Sequence, residues 1–186
     1  MKKKAIIISA FAICLSVLVG GTSAYFTAEE KVHNVITTGG IDIKLSEWAD
    51  EDKTVKISEN CEDLVMPGTE LVKIAEVENV GTNPAYIRIK ILKNLQMTSD
   101  RDGNEELLKL NINTKNWTLK DDGYYYYNEK LEPGRTTEPL FTTVRFSEDM
   151  GNEYQNAKLE LDVAAYATQV DNNGNTVFDA KGWPAE

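Results

Sequence analysis

The groups that do chemistry in proteins are scarce in this chain, and their spacing is poor. His33 is its only histidine. A zinc peptidase of the common kind sets two histidines on one helical face with a glutamate between them, and one histidine cannot build that pair. A serine triad or a Cys–His pair would also have to recruit His33, and no G-x-S-x-G elbow presents a nucleophile. Cys61 reads as a small half-buried residue near a strand end; a nucleophile and an intermolecular bridge are the other readings. The expectation is no enzyme, no catalytic residue, no metal and no cofactor.

Two acidic loops offer oxygen ligands. Asp100-Arg101-Asp102-Gly103-Asn104-Glu105-Glu106 spaces Asp and Gly much as a calcium-binding EF-hand does. Thr98 would then hold the first ligand position and Lys109 the last, where a bidentate glutamate belongs. Asp171-Asn172-Asn173-Gly174-Asn175 is rich in oxygen, yet it reads as a hairpin turn between Gln169-Val170 and Val177-Phe178. Both are expected to be solvated turns. The run Tyr124-Tyr125-Tyr126-Tyr127 is the other unusual feature. In a strand two of these rings face inward and two outward; cross-strand packing within the sheet is the first reading, and a surface for contacts formed by the outward pair is the second.

Before asking what positions these residues, the first 24 must be set aside. Lys2, Lys3 and Lys4 precede the apolar segment Ala5 to Val19, and Gly20-Gly21-Thr22-Ser23-Ala24 supplies small residues at its end. The apolar run of about 15 residues is short for a bilayer span of roughly 20. This is the pattern of a secretory signal peptide cut between Ala24 and Tyr25. Residues 25–186 then form a single domain, exported to the extracellular matrix or cell surface, with membrane contact only through the uncut signal.

The full chain carries 20 basic and 30 acidic residues. Losing Lys2, Lys3 and Lys4 leaves 17 against 30, a net charge of −13, which disfavours nucleic acid and anionic lipid as partners. Cys14 leaves with the signal, so no internal disulfide is available and the fold must rest on its core.

That core is written in strands. Ile41, Ile43 and Leu45 alternate with Asp42 and Lys44, and Ile87, Ile89 and Ile91 with Tyr86, Arg88 and Lys90. Leu159, Leu161, Val163, Ala165 and Ala167 alternate with polar neighbours, as do Leu140, Val144 and Phe146, with Thr142 on their inner row. Period-two alternation marks antiparallel sheets with one buried face. Turns at Gly39-Gly40, Pro67-Gly68, Gly81 to Pro84, Asp122-Gly123, Pro133-Gly134 and Asn173-Gly174 separate the runs. Only Asn104 to Leu110 and Ser147 to Tyr154 hint at helical turns. The expected fold is all-β: a two-layer antiparallel β-sandwich of about eight to ten strands with jelly-roll or Greek-key connections. Leu64 to Thr69 and Leu131 to Thr136 echo each other as Leu-x-x-Pro-Gly-Thr and Leu-x-Pro-Gly-x-Thr turns, each leading into a strand.

Several of these pieces together resemble one family, the TasA and camelysin group of exported proteins from Gram-positive bacteria. The junction Gly20 to Phe26 is similar to the site where an ER-type signal peptidase cuts family members. Pro67-Gly68, then Val77-Glu78-Asn79-Val80-Gly81 and Ala85-Tyr86-Ile87-Arg88, resembles the family's central strand pair. Asn152 to Gln155 through Leu159, Leu161 and Ala167-Thr168-Gln169 resembles its C-terminal strand. The resemblance implies a jelly-roll sandwich that assembles into extracellular biofilm-matrix fibres, the mature N-terminal segment of one subunit completing a sheet of the next. The partners would be further copies or related matrix subunits, after processing by the signal peptidase. Residues 25–36, YFTAEEKVHNVI, suit that part: they lack Pro and Gly, and Tyr25, Phe26, Val32, Val35 and Ile36 are the apolar contacts that fix register in strand addition. The alternatives are a camelysin-like exported metallopeptidase, a label the single histidine does not serve, and a monomeric surface-binding module.

Overall fold

The computed structural model describes residues 35–37, 40–57, 67–97, 103–154 and 157–184. The chain divides into two units, Met1–Val32 and His33–Glu186, and every described residue belongs to the second. Nine strands are described: β1 Val35–Thr37, β2 Ile43–Trp48, β3 Glu70–Asn79, β4 Ala85–Gln96, β5 Leu108–Leu110, β6 Trp117–Leu119, β7 Tyr125–Tyr127, β8 Phe141–Phe146 and β9 Lys158–Gln169. They form one sheet in the order β1-β9-β4-β7-β6 and a second in the order β2-β3-β8-β5. The chain crosses between the layers repeatedly, so that β4 lies between β9 and β7 while β3 pairs with β8. This is the interleaved winding of a jelly roll, and the fold expected from the alternation is the fold found. One pairing departs from it: β1 runs parallel to β9. Among the described residues no helix is long and apolar enough to cross a membrane.

The alternating rows identify the core. Ile43 and Leu45 of β2, Ile87 and Ile89 of β4, Val144 and Phe146 of β8, and Val163 and Ala165 of β9 all face one buried cluster between the sheets. Phe141, on the outward row by strict alternation, joins them opposite Ala75, beyond a register shift between Val72 and Ala75 of β3. The segment read as a possible helix from Asn104 resolves into one 3₁₀ turn, Glu105–Leu107, capped by Asn104, before β5 begins. Ile89 is fully buried, whereas Leu161 is only partly covered. Ile89→Ala is therefore expected to cost about 2–5 kcal/mol, and Leu161→Ala clearly less. Urea unfolding of both variants measures the difference.

The echoed Pro-Gly turns acquire a reason here. Gly68 (φ 75°) donates its N–H to the Phe146 carbonyl at 3.1 Å, and Gly134 (φ 71°) donates to the Asn79 carbonyl at 2.8 Å. Each turn thus docks on the far end of the strand that the other turn leads into, since β3 and β8 are antiparallel. Positive φ at both positions is what glycine supplies without strain.

At the opposite margin Trp117 stacks at 5.1 Å on Tyr127 and donates its indole N–H to the Glu138 carbonyl at 2.9 Å. The Tyr127 hydroxyl donates to the Glu138 carboxylate. That bond, then a backbone N–H, hold the Glu138 carboxyl below its ordinary range, and burial beside the carboxylate pushes the Tyr127 hydroxyl up. A depressed folded value adds stability at pH above the unfolded value, about 4.3, and that stability is lost as pH falls through the folded value. Glu138→Gln should therefore lower the melting temperature at neutral pH by a small amount, because the carboxylate is well exposed. The gap between variant and parent should close in acid, and a gap that stays constant from pH 7 to pH 3 would contradict this assignment.

Candidate assembly edge

Sheet edges decide what a β-sandwich can join. On one side β9 is paired along its whole length, Lys158 to Gln169, with β4. On the other side only Ala165, Tyr166 and Ala167 have a partner among the described residues, the three residues of β1. The stretch from Lys158 to Ala164 thus presents a row of main-chain donors and acceptors without a neighbouring strand in the described structure. Its inward side chains, Leu159 and Leu161, are half-buried against the core, and Val163 is buried. Its outward side chains, Glu160 and Asp162, are exposed. Glu160 accepts a hydrogen bond from Asn94 at 3.1 Å. An incoming strand would thus find apolar contacts beneath, acids above, and backbone groups between. Exposed charges of this kind blunt an edge against indiscriminate pairing while leaving the ladder available.

The residues singled out from the sequence fall as follows. Val35 and Ile36 lie in β1, opposite Ala165 and Tyr166. Ala24, Tyr25, Phe26, Val32, His33 and Cys61 lie outside the described residues, as do Asp100 to Asp102 of the first acidic loop. The second acidic loop is not a β-hairpin, because β9 ends at Gln169 and no strand follows. Asn173 instead knots it, donating from Nδ2 to Thr168 Oγ1, Gln169 O and Lys181 O at 2.8–3.0 Å and accepting from the Lys181 N–H at 2.7 Å.

The tyrosine run alternates as expected, but the outward pair is not exposed. Tyr127 packs in the main core and Tyr125 against it. Tyr124 and Tyr126 lie on the outer face of the sheet with Tyr86 and Tyr166, under a C-terminal strap, residues 170–184, that contributes Val170, Val177, Ala180 and Trp183. A surface for contacts at Tyr124 to Tyr127 is therefore corrected to an internal seam. The cause is the strap, whose apolar residues bear no period that would announce a partner for this face.

Sequence reading also missed the residue at the centre of that seam. Arg88 is 9% exposed. Its guanidinium lies 3.8 Å from the Tyr124 ring centre, 4.7 Å from Trp183 and 5.4 Å from Tyr166. Nη1 is 3.3 Å from the Tyr126 hydroxyl, which donates to Asp122 at 2.6 Å. Burial first, and then the Asp122 carboxylate, push the Tyr126 hydroxyl above its ordinary value. Stacked aromatic faces offset the loss of water around a buried cation, so Arg88 fastens the strap rather than reaching for a ligand. An arginine on the outward row of an otherwise apolar strand, beside Tyr86, was the available signal.

Together these features define an all-β sandwich protein with a strapped outer face, in which one side of β9 is only partly paired among the described residues. Residues 1–85 match the family described as camelysin metallo-endopeptidase, and the TasA and camelysin resemblance read from the sequence is thereby borne out. No curated protein matches the chain. The family's description carries a peptidase activity, and with it a metal. Among the described residues no three His, Cys, Asp or Glu side chains are grouped so as to hold a metal ion, so the described part of the chain does not fit that group.

Proposed function

We propose that this protein is a secreted, non-catalytic structural subunit of an extracellular matrix or cell surface, assembling by strand addition. The observation that carries the reading is the edge of β9, of whose twelve residues β1 covers three. The register adds support. Val35 lies opposite Ala165 in a parallel pair, so the same register continued upstream would bring Lys31 beside Leu161 and Glu29 beside Leu159. Both leucines face the core, and charges placed in that row would lose hydration without a partner. The edge therefore suits an extended strand in another register, which a second copy can supply from the part of its residues 25–36 upstream of Val35 and Ile36, which pair with β9 of their own chain. The test is electron microscopy and sedimentation of the chain beginning at Tyr25. Fibres or ladders that grow with concentration are expected, and a chain that stays monomeric at all concentrations overturns the proposal.

Export is part of the same reading and rests on Lys2 to Lys4, the short apolar run and Thr22-Ser23-Ala24. N-terminal sequencing of protein from the culture medium or cell wall is expected to begin at Tyr25, and a protein recovered with Lys2 to Lys4 intact would contradict it. A metallo-endopeptidase is the second reading, favoured by the description of the matching family. Bound zinc and hydrolysis of unstructured substrates, both lost in His33→Ala, would establish it in place of the structural reading.

A further inference from the structure

The strap that covers the outer sheet face is tied to the end of β9 by two side chains, Thr168 and Asn173. Asn173 ties the β9 end (Thr168, Gln169) to the strap at Lys181 through three donated bonds and one accepted bond. Asn173 is followed by Gly174, the one Asn-Gly pair in the sequence. Glycine is required there. It sits at φ 83°, and a Cβ would stand 3.0 Å from the backbone carbon of Asp179. The fold thus places beside its own latch the residue least able to hinder attack by its backbone nitrogen.

We infer that Asn173 is a deamidation site and that its conversion unlatches the strap. The nucleophile is the Gly174 nitrogen, whose N–H donates to no group among the described residues. The electrophile is Cγ of Asn173, polarised by the 2.7 Å bond from the Lys181 N–H to Oδ1. The Gly174 nitrogen bonds to Cγ and gives up its proton to solvent, while the Cγ–Nδ2 bond breaks and Nδ2, taking up a proton from solvent, leaves as ammonia. Water then opens the cyclic imide at one of its two carbonyls, giving an aspartyl or isoaspartyl residue. The cleft lined by Asn172, Asn173, Gly174, Asp179 and Lys181 is open to solvent, so that water is at hand.

The consequence follows from hydrogen-bond bookkeeping. A carboxylate at position 173 has no proton to donate, and it would face the carbonyl oxygens of Gln169 and Lys181 where Nδ2 now lies 2.8 and 2.9 Å away. Attraction becomes repulsion at this tie, leaving the strap held by the Thr168 hydroxyl, shared between Lys181 O at 3.1 Å and Gly182 O at 3.4 Å, and by the Arg88–Trp183 contact. Release would bare Tyr124, Tyr126 and Tyr166 around Arg88, turning a covered face into an exposed aromatic one.

The experiment ages the folded chain at pH 8 and maps amide-to-acid conversion by peptide mass spectrometry, with exposed Asn175 in the same loop as the internal reference. Conversion at Asn173 is expected to run at least about tenfold faster than at Asn175, a barrier lower by roughly 1.4 kcal/mol. Hydrogen exchange of Asn173→Asp, the product itself, is the second arm. Amides from Val177 to Trp183 should exchange at least about tenfold faster than in the parent, while those of β4 beneath keep their protection as a folded sandwich requires. Asn173 left intact while Asn175 converts overturns the site. An Asn173→Asp strap that exchanges no faster than the parent overturns the latch.

Discussion

Asn79→Ala is expected to destabilise the sandwich by about 2–4 kcal/mol, the sum of three side-chain bonds. The residue is completely buried. Its Nδ2 donates to Asn83 O at 2.9 Å and Leu131 O at 2.8 Å, and its Oδ1 accepts from the Gly81 N–H at 3.0 Å. Its backbone holds the second Pro-Gly turn as well, donating to Arg135 and accepting from Gly134. Alanine would remove all three bonds, each worth about 0.5–1.5 kcal/mol net, while the Leu131 carbonyl keeps the Ala85 N–H and the Gly81 N–H keeps the Asp42 carbonyl. Gly81 belongs to the same device. A Cβ there would stand 2.8 Å from the Asp42 backbone nitrogen, so Gly81→Ala must force the β3–β4 connection away from the strand that leads into β2. Urea unfolding of the two single variants and the double variant should show sub-additive losses, because both break one network. Fully additive losses would mean that the two residues act independently.

The second large effect concerns assembly. A mature chain that begins at Thr37 in place of Tyr25 is expected to remain folded and to lose all polymerisation. A donated strand from upstream of Val35 makes roughly six to ten inter-subunit backbone bonds, each worth about 0.5–1.5 kcal/mol net. Phe26 and Val32 would add about 1.5–3 kcal/mol each when buried, against an association cost of about 4–15 kcal/mol. The balance is close enough that one anchor matters. Phe26→Asp should raise the concentration needed for polymer by at least about tenfold, which a loss of 1.4 kcal/mol produces, with no change in monomer unfolding. The shortened chain also removes Val35 and Ile36, two of the three β1 residues, which pair with Ala165 and Tyr166, so a small loss of stability is expected. Polymerisation undiminished by the truncation, or global unfolding caused by it, would refute strand donation by residues 25–36.

The alternating rows carried most of the fold. Ile43 and Leu45, Ile87 and Ile89, and Val163 with Ala165 face the core as their spacing required, because a residue two places on in a strand must return to the same face. Glycine after proline at 67–68 and 133–134 marked two turns for an equally local reason, the positive φ that the next strand needs. The N-x-G motif was legible as a signature, and tertiary contact supplied its meaning: Asn79 joins the β3–β4 turn to the 131–136 loop, more than fifty residues away in sequence.

What the chain could not reveal by itself lies where distant segments meet. Local pattern does not encode which strand lies beside which, so neither the parallel β1–β9 pair nor the uncovered length of β9 could be read from it. The Tyr124 to Tyr127 run obeyed its period, yet its outward pair is buried under residues whose own sequence has no period. Arg88 looked like a solvated outward residue until Tyr124, Tyr166 and Trp183 closed around it. The sequence alone determined the strands, their inner faces and the turns between them, since these depend on near neighbours. Only the tertiary structure decided which strands lie beside β9 and which outer face is covered, because both depend on contacts between segments far apart in the chain.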